Sequence, residues 1–461
     1  MRRTSPGSLP GRRGGPVLAL LPPILACLLA GPLAAEPLSL AGALRMAGTG
    51  SAAADSAQLA TAAAREDTVA TRALYLPEVT FDGGFRALDE RPGLVSQPMS
   101  LGPMTLPSLV FPTEDKDSWR YRAAVRYLVW DFGKRSSAVA AAQSRAQAVQ
   151  AGGSAQTRRA QNEAASRYLA LLNIKAQKQV VAQRRQTLAA HLGMARAQFE
   201  HGVVARNDLL RTEVTLRQVD DADSALDRTY ASGLEALNVA IGVDPASAQE
   251  LPESLPAPPP IPWDESACRR KAVEDNETVR AMKAKVEANR NLLVLHRRDY
   301  YPNLVAEADH TYVQDSFLNH PHENAFAIGL SWKVFDGARA AKVHRSEAET
   351  DESARALVES ERNAGNEATA ALRAFQQSIQ ELRTAARNVE SAEENLRIVQ
   401  DQYQEGLVRN ADVLDAESVL AESRSSQAER RYRAYSQQAA LLTVLGEDLS
   451  AFYDQLPSLE K

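Results

Sequence analysis

In the second half of the chain, apolar residues recur every three or four positions: Leu372, Phe375, Ile379, Leu382, Ala386, Val389, Ala392, Leu396, Val399 and Tyr403. A mean spacing near 3.5 marks a helix that keeps one narrow apolar stripe against a partner over many turns, as in a coiled coil. No proline interrupts residues 338 to 405, so the spacing predicts one helix over that range. A second proline-free run, dominated by Ala, Gln, Arg, Glu and Leu, predicts another over 134 to 200, with Gly152 and Gly153 marking a bend. At about 1.5 Å per residue, each helix would extend for about 100 Å.

Elsewhere the period falls to two. Val79, Phe81, Gly83, Phe85 and Ala87 alternate with polar residues, and Trp119, Tyr121, Ala123, Val125, Tyr127 and Val129 alternate with Arg120, Arg122 and Arg126. These predict a strand pair within 78 to 130, joined by a polar, proline-rich loop over 89 to 117. Leu304, Ala306, Ala308, His310 and Tyr312, then Phe326, Ile328, Leu330, Trp332 and Val334, predict a second pair within 303 to 335. One aliphatic face with aromatic ends, backed by charges, is the pattern of a barrel strand between lipid and water.

The two halves repeat each other. QFEHGVVARNDLLRTE at 198 to 213 returns at 402 to 417 as QYQEGLVRNADVLDAE, an ungapped offset of 204 residues that also carries AIGVD onto VLGED. Each copy reads as the tip of a helical hairpin, because a glycine ends one helix and an Asp stands where the next begins. Return helices are expected over 207 to 241 and 411 to 445. The first repeat therefore spans 36 to 244, a proline-rich linker 245 to 264, and the second repeat 265 to 461. Each repeat opens with a helix, expected as a single run over 38 to 74 and again over 265 to 300, and ended by Pro77 and Pro302.

Compartment and charge narrow the function. Four arginines, an apolar run and Leu33-Ala34-Ala35 before Glu36 predict a signal peptide over 1 to 35. ILAC at 24 to 27 loosely resembles a lipoprotein cleavage box, although Ala35 is the better site. Removing four positive charges from a net charge of −5 makes the remaining chain more acidic still, which argues against nucleic acid as a partner. Cys268 has no internal disulfide partner once the segment holding Cys27 is removed. Neither a nucleophile paired with a base nor a phosphate loop is visible, so no catalytic residue, cofactor or metal is expected; His310, His320 and His322 lack carboxylates at a fixed spacing.

Four strands cannot close a membrane barrel alone, and an open sheet edge cannot sit in lipid, so several chains must pool their strands. The signal peptide, the LP and YP before strands, WDFG and VFDG after them, the G-[VL]-V tips, the DVLDAE run and the duplication together resemble the TolC-type outer-membrane factor family. That resemblance implies a mainly α fold with a small β part. Long antiparallel helical hairpins would form an α-barrel across the periplasm, and four strands per chain would build the twelve-stranded β-barrel of a homotrimer in outer-membrane lipid. It implies an exit duct for a tripartite efflux pump or type I secretion system, closed at its periplasmic end. The duct would dock a membrane-fusion adaptor and, through it, an inner-membrane pump of RND, ABC or MFS type. A periplasmic adaptor and a coiled-coil protein without a pore are the rival readings.

The resemblance also assigns residues. Tyr403 holds the place of the family's gate tyrosine and Asp208 that of its partner. The gate arginine is expected at Val408, whereas this chain has Arg409, turned by about 100° on a helix. Asp412 and Asp415 share a helix face and would form carboxylate rings in a trimer; the alternative is that Asp412 caps the helix and Asp415 is solvated. Arg211 stands where the second copy has Asp415, so the second hairpin is expected to face the lumen and the first to lie outward. Gly202, Val203, Val204, Gly406, Leu407 and Val408 are expected either to form the adaptor-docking tips or to pack within their own hairpins.

Overall fold

The computed structural model describes residues 37 to 201 and 205 to 455. The signal segment, Cys27, Gly202, Val203 and Val204 lie outside the described residues. Two helices dominate, α3 (Lys134–Glu200) and α7 (Arg339–Gln404), and each turns back through a shorter one, α4 (Arg206–Ile241) and α8 (Asn410–Val444). In α7 the buried stripe passes through Ser378, Ala385, Val389, Ala392, Leu396 and Tyr403. The expected Ala386 is exposed, because from Ser378 onward the stripe follows a strict heptad and selects Ala385 instead. No break separates Gly152 from Gly153; a Cβ on Gly153 would lie 3.1 Å from that of Ala57, so the glycine admits a neighbouring helix rather than a bend.

That neighbour belongs to a broken helix. The single helix expected over 38 to 74 is two, α1 (Leu40–Gly50) and α2 (Ala52–Arg72), because the Ser51 hydroxyl accepts from Ala54 N at 3.2 Å and starts a new helix. In the second repeat α5 (Glu265–Asp275) and α6 (Glu277–Arg298) divide at Asn276, whose side chain accepts from Thr278 N and Val279 N. Each break receives the end of a return helix. Gly242 follows α4 with φ +77° and Gly446 closes the turn after α8 with φ +72°. The next amide in each case reaches back five residues, Val243 N to Asn238 O at 2.9 Å and Glu447 N to Leu442 O at 3.0 Å.

A four-stranded antiparallel sheet runs in the order β1 (Glu78–Ala87), β6 (Asp117–Trp130), β7 (Asn303–Val313), β8 (His322–Ser331). The loop over 89 to 117 is not structureless: β2 (Gly93–Val95) pairs with β5 (Val110–Pro112), and β3 (Met99–Leu101) with β4 (Met104–Leu106). Strand β8 stops short of Trp332 and Val334; the Trp332 indole instead donates to Tyr300 O at 3.0 Å. Cross-strand register aligns Phe81 with Ala123, Tyr121 with Tyr312 and Ala308 with Phe326, so one face is largely apolar across the four strands, with His310, Asn324 and His322 on it toward the loop end of β7 and β8. On the opposite face Arg122 reaches Glu307 at 2.8 Å and Asp309 at 3.1 Å. Among the described residues, β1 and β8 each have one edge without a partner strand.

The main core lies part-way along the long helices, where α1, α3, α4, α8 and α9 (Leu449–Asp454) enclose Leu44, Tyr168, Leu172, Leu237, Leu251, Tyr435 and Leu449. The proline-rich linker is a strap over this core. Its carbonyls accept from Asn238 at Pro245 and Ser247, from Lys175 at Leu251, from Tyr435 at Pro256 and from Gln438 at Pro259.

Candidate functional site: the paired hairpin ends

At the end of α7 the chain turns on Gly406, φ +76°, with Gly406 N donating to Tyr403 O and Leu407 N to Gln402 O at 2.9 Å. This glycine-ended turn leaves Leu407 exposed and delivers Arg409 as the residue before α8. An Arg side chain has no acceptor, so the cap is one-sided: Asp412 accepts from Arg409 N at 2.8 Å. The Arg409 guanidinium is 87% exposed and has one carboxylate near it, Asp412 at 3.8 Å. Asp412 thus caps α8 while its side chain stays 40% exposed, and Asp415 is exposed one turn further on. Capping and facing water are compatible here.

Tyr403 does not bond to Asp208. Its hydroxyl donates to Gln198 Oε1 at 3.0 Å, and its ring tilts against His191 with centroids 5.1 Å apart. Burial pushes the phenol up from its ordinary range, with the Asp208 carboxylate adding to the shift, so the hydroxyl remains a donor. What Asp208 contributes to the bonding is its carbonyl, which accepts from Thr212 Oγ1 at 3.1 Å and from Asn410 Nδ2 at 3.1 Å.

Asn410 and His191 are the residues that sequence reasoning missed. Both are buried, at 2% and 4% exposure. Asn410 reaches the first hairpin from both ends of its amide: Nδ2 donates to Asp208 O and to Thr212 Oγ1 at 3.2 Å, and Oδ1 lies 2.5 Å from His191 Nε2. A faint signal existed. Arg184, His191 and Gln198 stand seven apart on α3, which puts three polar residues on one stripe, alternating with buried Leu188 and Ala195.

Two turns above Asn410, Glu417 is also buried, and its Oε2 has no hydrogen-bond partner among the described residues, nor has Arg184 Nε. Burial raises the Glu417 carboxyl, and the Arg184 and Arg424 charges only partly offset that. A carboxyl raised in the folded state contributes stability below its unfolded range and loses it as pH rises through the folded value. Glu417→Gln is therefore expected to raise the melting temperature above neutrality and to leave it unchanged in acid, as read by circular dichroism at both pH values.

The remaining expected residues do not form a chemical centre. Arg211 is exposed, Val408 half-buried, and His310 bonds Asn324 at 2.9 Å while stacking on His322. Among the described residues, no group of three or more His, Cys, Asp or Glu side chains could hold a metal, and no helix is long and apolar enough to cross a membrane.

The CyaE protein of Bordetella pertussis is 28% identical over 203 residues, a match covering 42% of this chain and less than half (43%) of that protein. The outer membrane protein VceC of Vibrio cholerae has a similar structure, with a TM-score of 0.72 at 19% identity, covering 88% of this chain and 96% of that one. The open-state outer membrane channel MtrE of Neisseria gonorrhoeae gives 0.70 at 17% identity, covering 89% and 90%. These structural likenesses concern the fold. The sequence profile described as "Outer membrane efflux protein" matches residues 50–243 and 269–447, which is most of the chain in two blocks that follow its own duplication. The chain belongs to the outer membrane efflux protein family.

Proposed function

We propose that this chain is one protomer of a homotrimeric exit duct, a passive conduit that spans the outer membrane and extends into the periplasm. The observation that carries the reading is the four-stranded sheet with one apolar face, charged residues on the other and two unpaired edges, joined to helices of 67 and 66 residues. Unpaired edges are untenable in lipid, and three copies pairing β8 to β1 supply the twelve strands of a closed barrel. The long helices, with their narrow seams, then line a tube beneath it. The second hairpin, bearing Asp412 and Asp415, faces the lumen, and the first lies outward with Arg211. The tips, Gly202 to Val204 and Gly406 to Val408, receive a periplasmic adaptor that links the duct to an inner-membrane pump. The test is purification of the full-length protein from outer membranes in detergent. A heat-dissociable trimer giving discrete conductance steps in planar bilayers is expected; a monomer, or a trimer without steps, overturns the duct.

A further inference from the structure

We infer that Asn410 is a positioning residue, an uncharged clasp that holds the end of the second hairpin on the first. The inference deepens the duct reading and rests on it for its functional meaning. Three observations support it. First, Asn410 is buried and both ends of its amide bond to the other hairpin: the amide nitrogen to α4 at Asp208 O and Thr212 Oγ1, the oxygen to α3 at His191 Nε2. The partners fix the orientation of the amide. Thr212 spends its hydroxyl hydrogen on Asp208 O, so towards Asn410 it offers a lone pair, and the amide oxygen must face His191, whose Nε2 then carries the hydrogen.

Second, the contact lies on a regular seam. Passing seven residues along α3 from His191 to Arg184 matches passing seven along α8 from Asn410 to Glu417, and between these polar levels Leu188, Leu414 and Val219 form one buried cluster. Polar contacts set between apolar layers specify which surfaces meet and in what alignment, which apolar packing alone does weakly. Third, the charged candidate for the same task is elsewhere. The Arg409 guanidinium is exposed, and Asp412 of its own helix is the carboxylate within reach. Among the described residues, the bonds joining the two hairpin ends here run between uncharged groups: Asn410 amide, Thr212 hydroxyl, a backbone carbonyl, an imidazole nitrogen, and the Gln198–Tyr403 pair.

An uncharged, buried clasp differs from an ion pair in one measurable way: added salt screens exposed charges strongly and buried neutral bonds hardly at all. The experiment uses the full-length protein in two arms. In planar bilayers the open fraction of the parent is expected not to rise from low to high salt, and Asn410→Leu, similar in size but unable to bond, is expected to raise it about tenfold, the scale of one lost buried hydrogen-bonded amide. In the second arm, spin labels on Leu210→Cys and Leu407→Cys, both exposed and one on each hairpin, report the separation of the ends in a Cys268→Ser background. Asn410→Leu should broaden that distance distribution. Thr212→Val removes one of the same bonds from the other hairpin and serves if Asn410→Leu does not fold. An open fraction that climbs with salt, or label distances unchanged in both variants, overturns the clasp. If the parent conducts nothing, the duct reading falls and the label distances still decide the clasp.

Discussion

Gly242→Ala is expected to be the most damaging small substitution in the chain, lowering stability by about 3 kcal/mol or more. Two costs combine there. The backbone at Gly242 is left-handed, φ +77°, which alone costs an alanine about 1 kcal/mol. The added methyl would also lie 1.8 Å from Gly50 O, inside the junction where α1 ends and Ser51 starts α2, so three helix ends would have to move together. Two further glycines form a graded control. Gly446→Ala meets Asp275 O at 2.5 Å with φ +72° and should be severe but milder; Gly406→Ala has φ +76° and open space, so it should show the backbone cost alone. Thermal melts of the three variants should rank 242, 446, 406 in order of damage. Equal melting temperatures would mean that the close packing of return helices into the two breaks does not support the fold.

The largest functional effect is expected from Asp412→Asn with Asp415→Asn. If three second hairpins surround the entrance, six carboxylates face a narrow aqueous mouth, attracting cations and repelling one another. Asparagine keeps an oxygen that can cap α8 in place of Asp412, so charge is removed while the bond to Arg409 N at 2.8 Å has a substitute; alanine there would add about 1 kcal/mol of helix-end cost. The half-blocking concentration of a multivalent cation added from the periplasmic side should rise by at least about tenfold, corresponding to roughly 1.4 kcal/mol of lost attraction. Unchanged block would remove Asp412 and Asp415 from the mouth.

The large architecture was legible because its signals are periodic and local. Proline-free runs with a stripe every three to four residues marked α3 and α7, and strict alternation marked β1, β6, β7 and β8. The duplication placed the two hairpin ends. The breaks at Ser51 and Asn276 escaped notice because a serine in an Ala-rich run, or an asparagine in a polar one, looks the same in a helix interior as at a cap until its side chain is seen accepting an amide. Asn410 and His191 are 219 residues apart, and no local pattern links them. Tyr403 was singled out, but its hydroxyl turned to Gln198, which the resemblance did not mark.

The strap between the repeats was the least legible part, since backbone carbonyls carry no signature in a sequence, and its chemistry has a consequence for survival outside the cell's inner membrane. Proteases grip a substrate as an extended strand, pairing with its amides and carbonyls in alternation. Over residues 245 to 262 seven prolines offer no amide hydrogen, and the carbonyls of Pro245, Ser247, Leu251, Pro256 and Pro259 are already taken by side chains of the core. The segment that joins the two halves therefore gives a protease little to hold, although it has neither helix nor strand of its own.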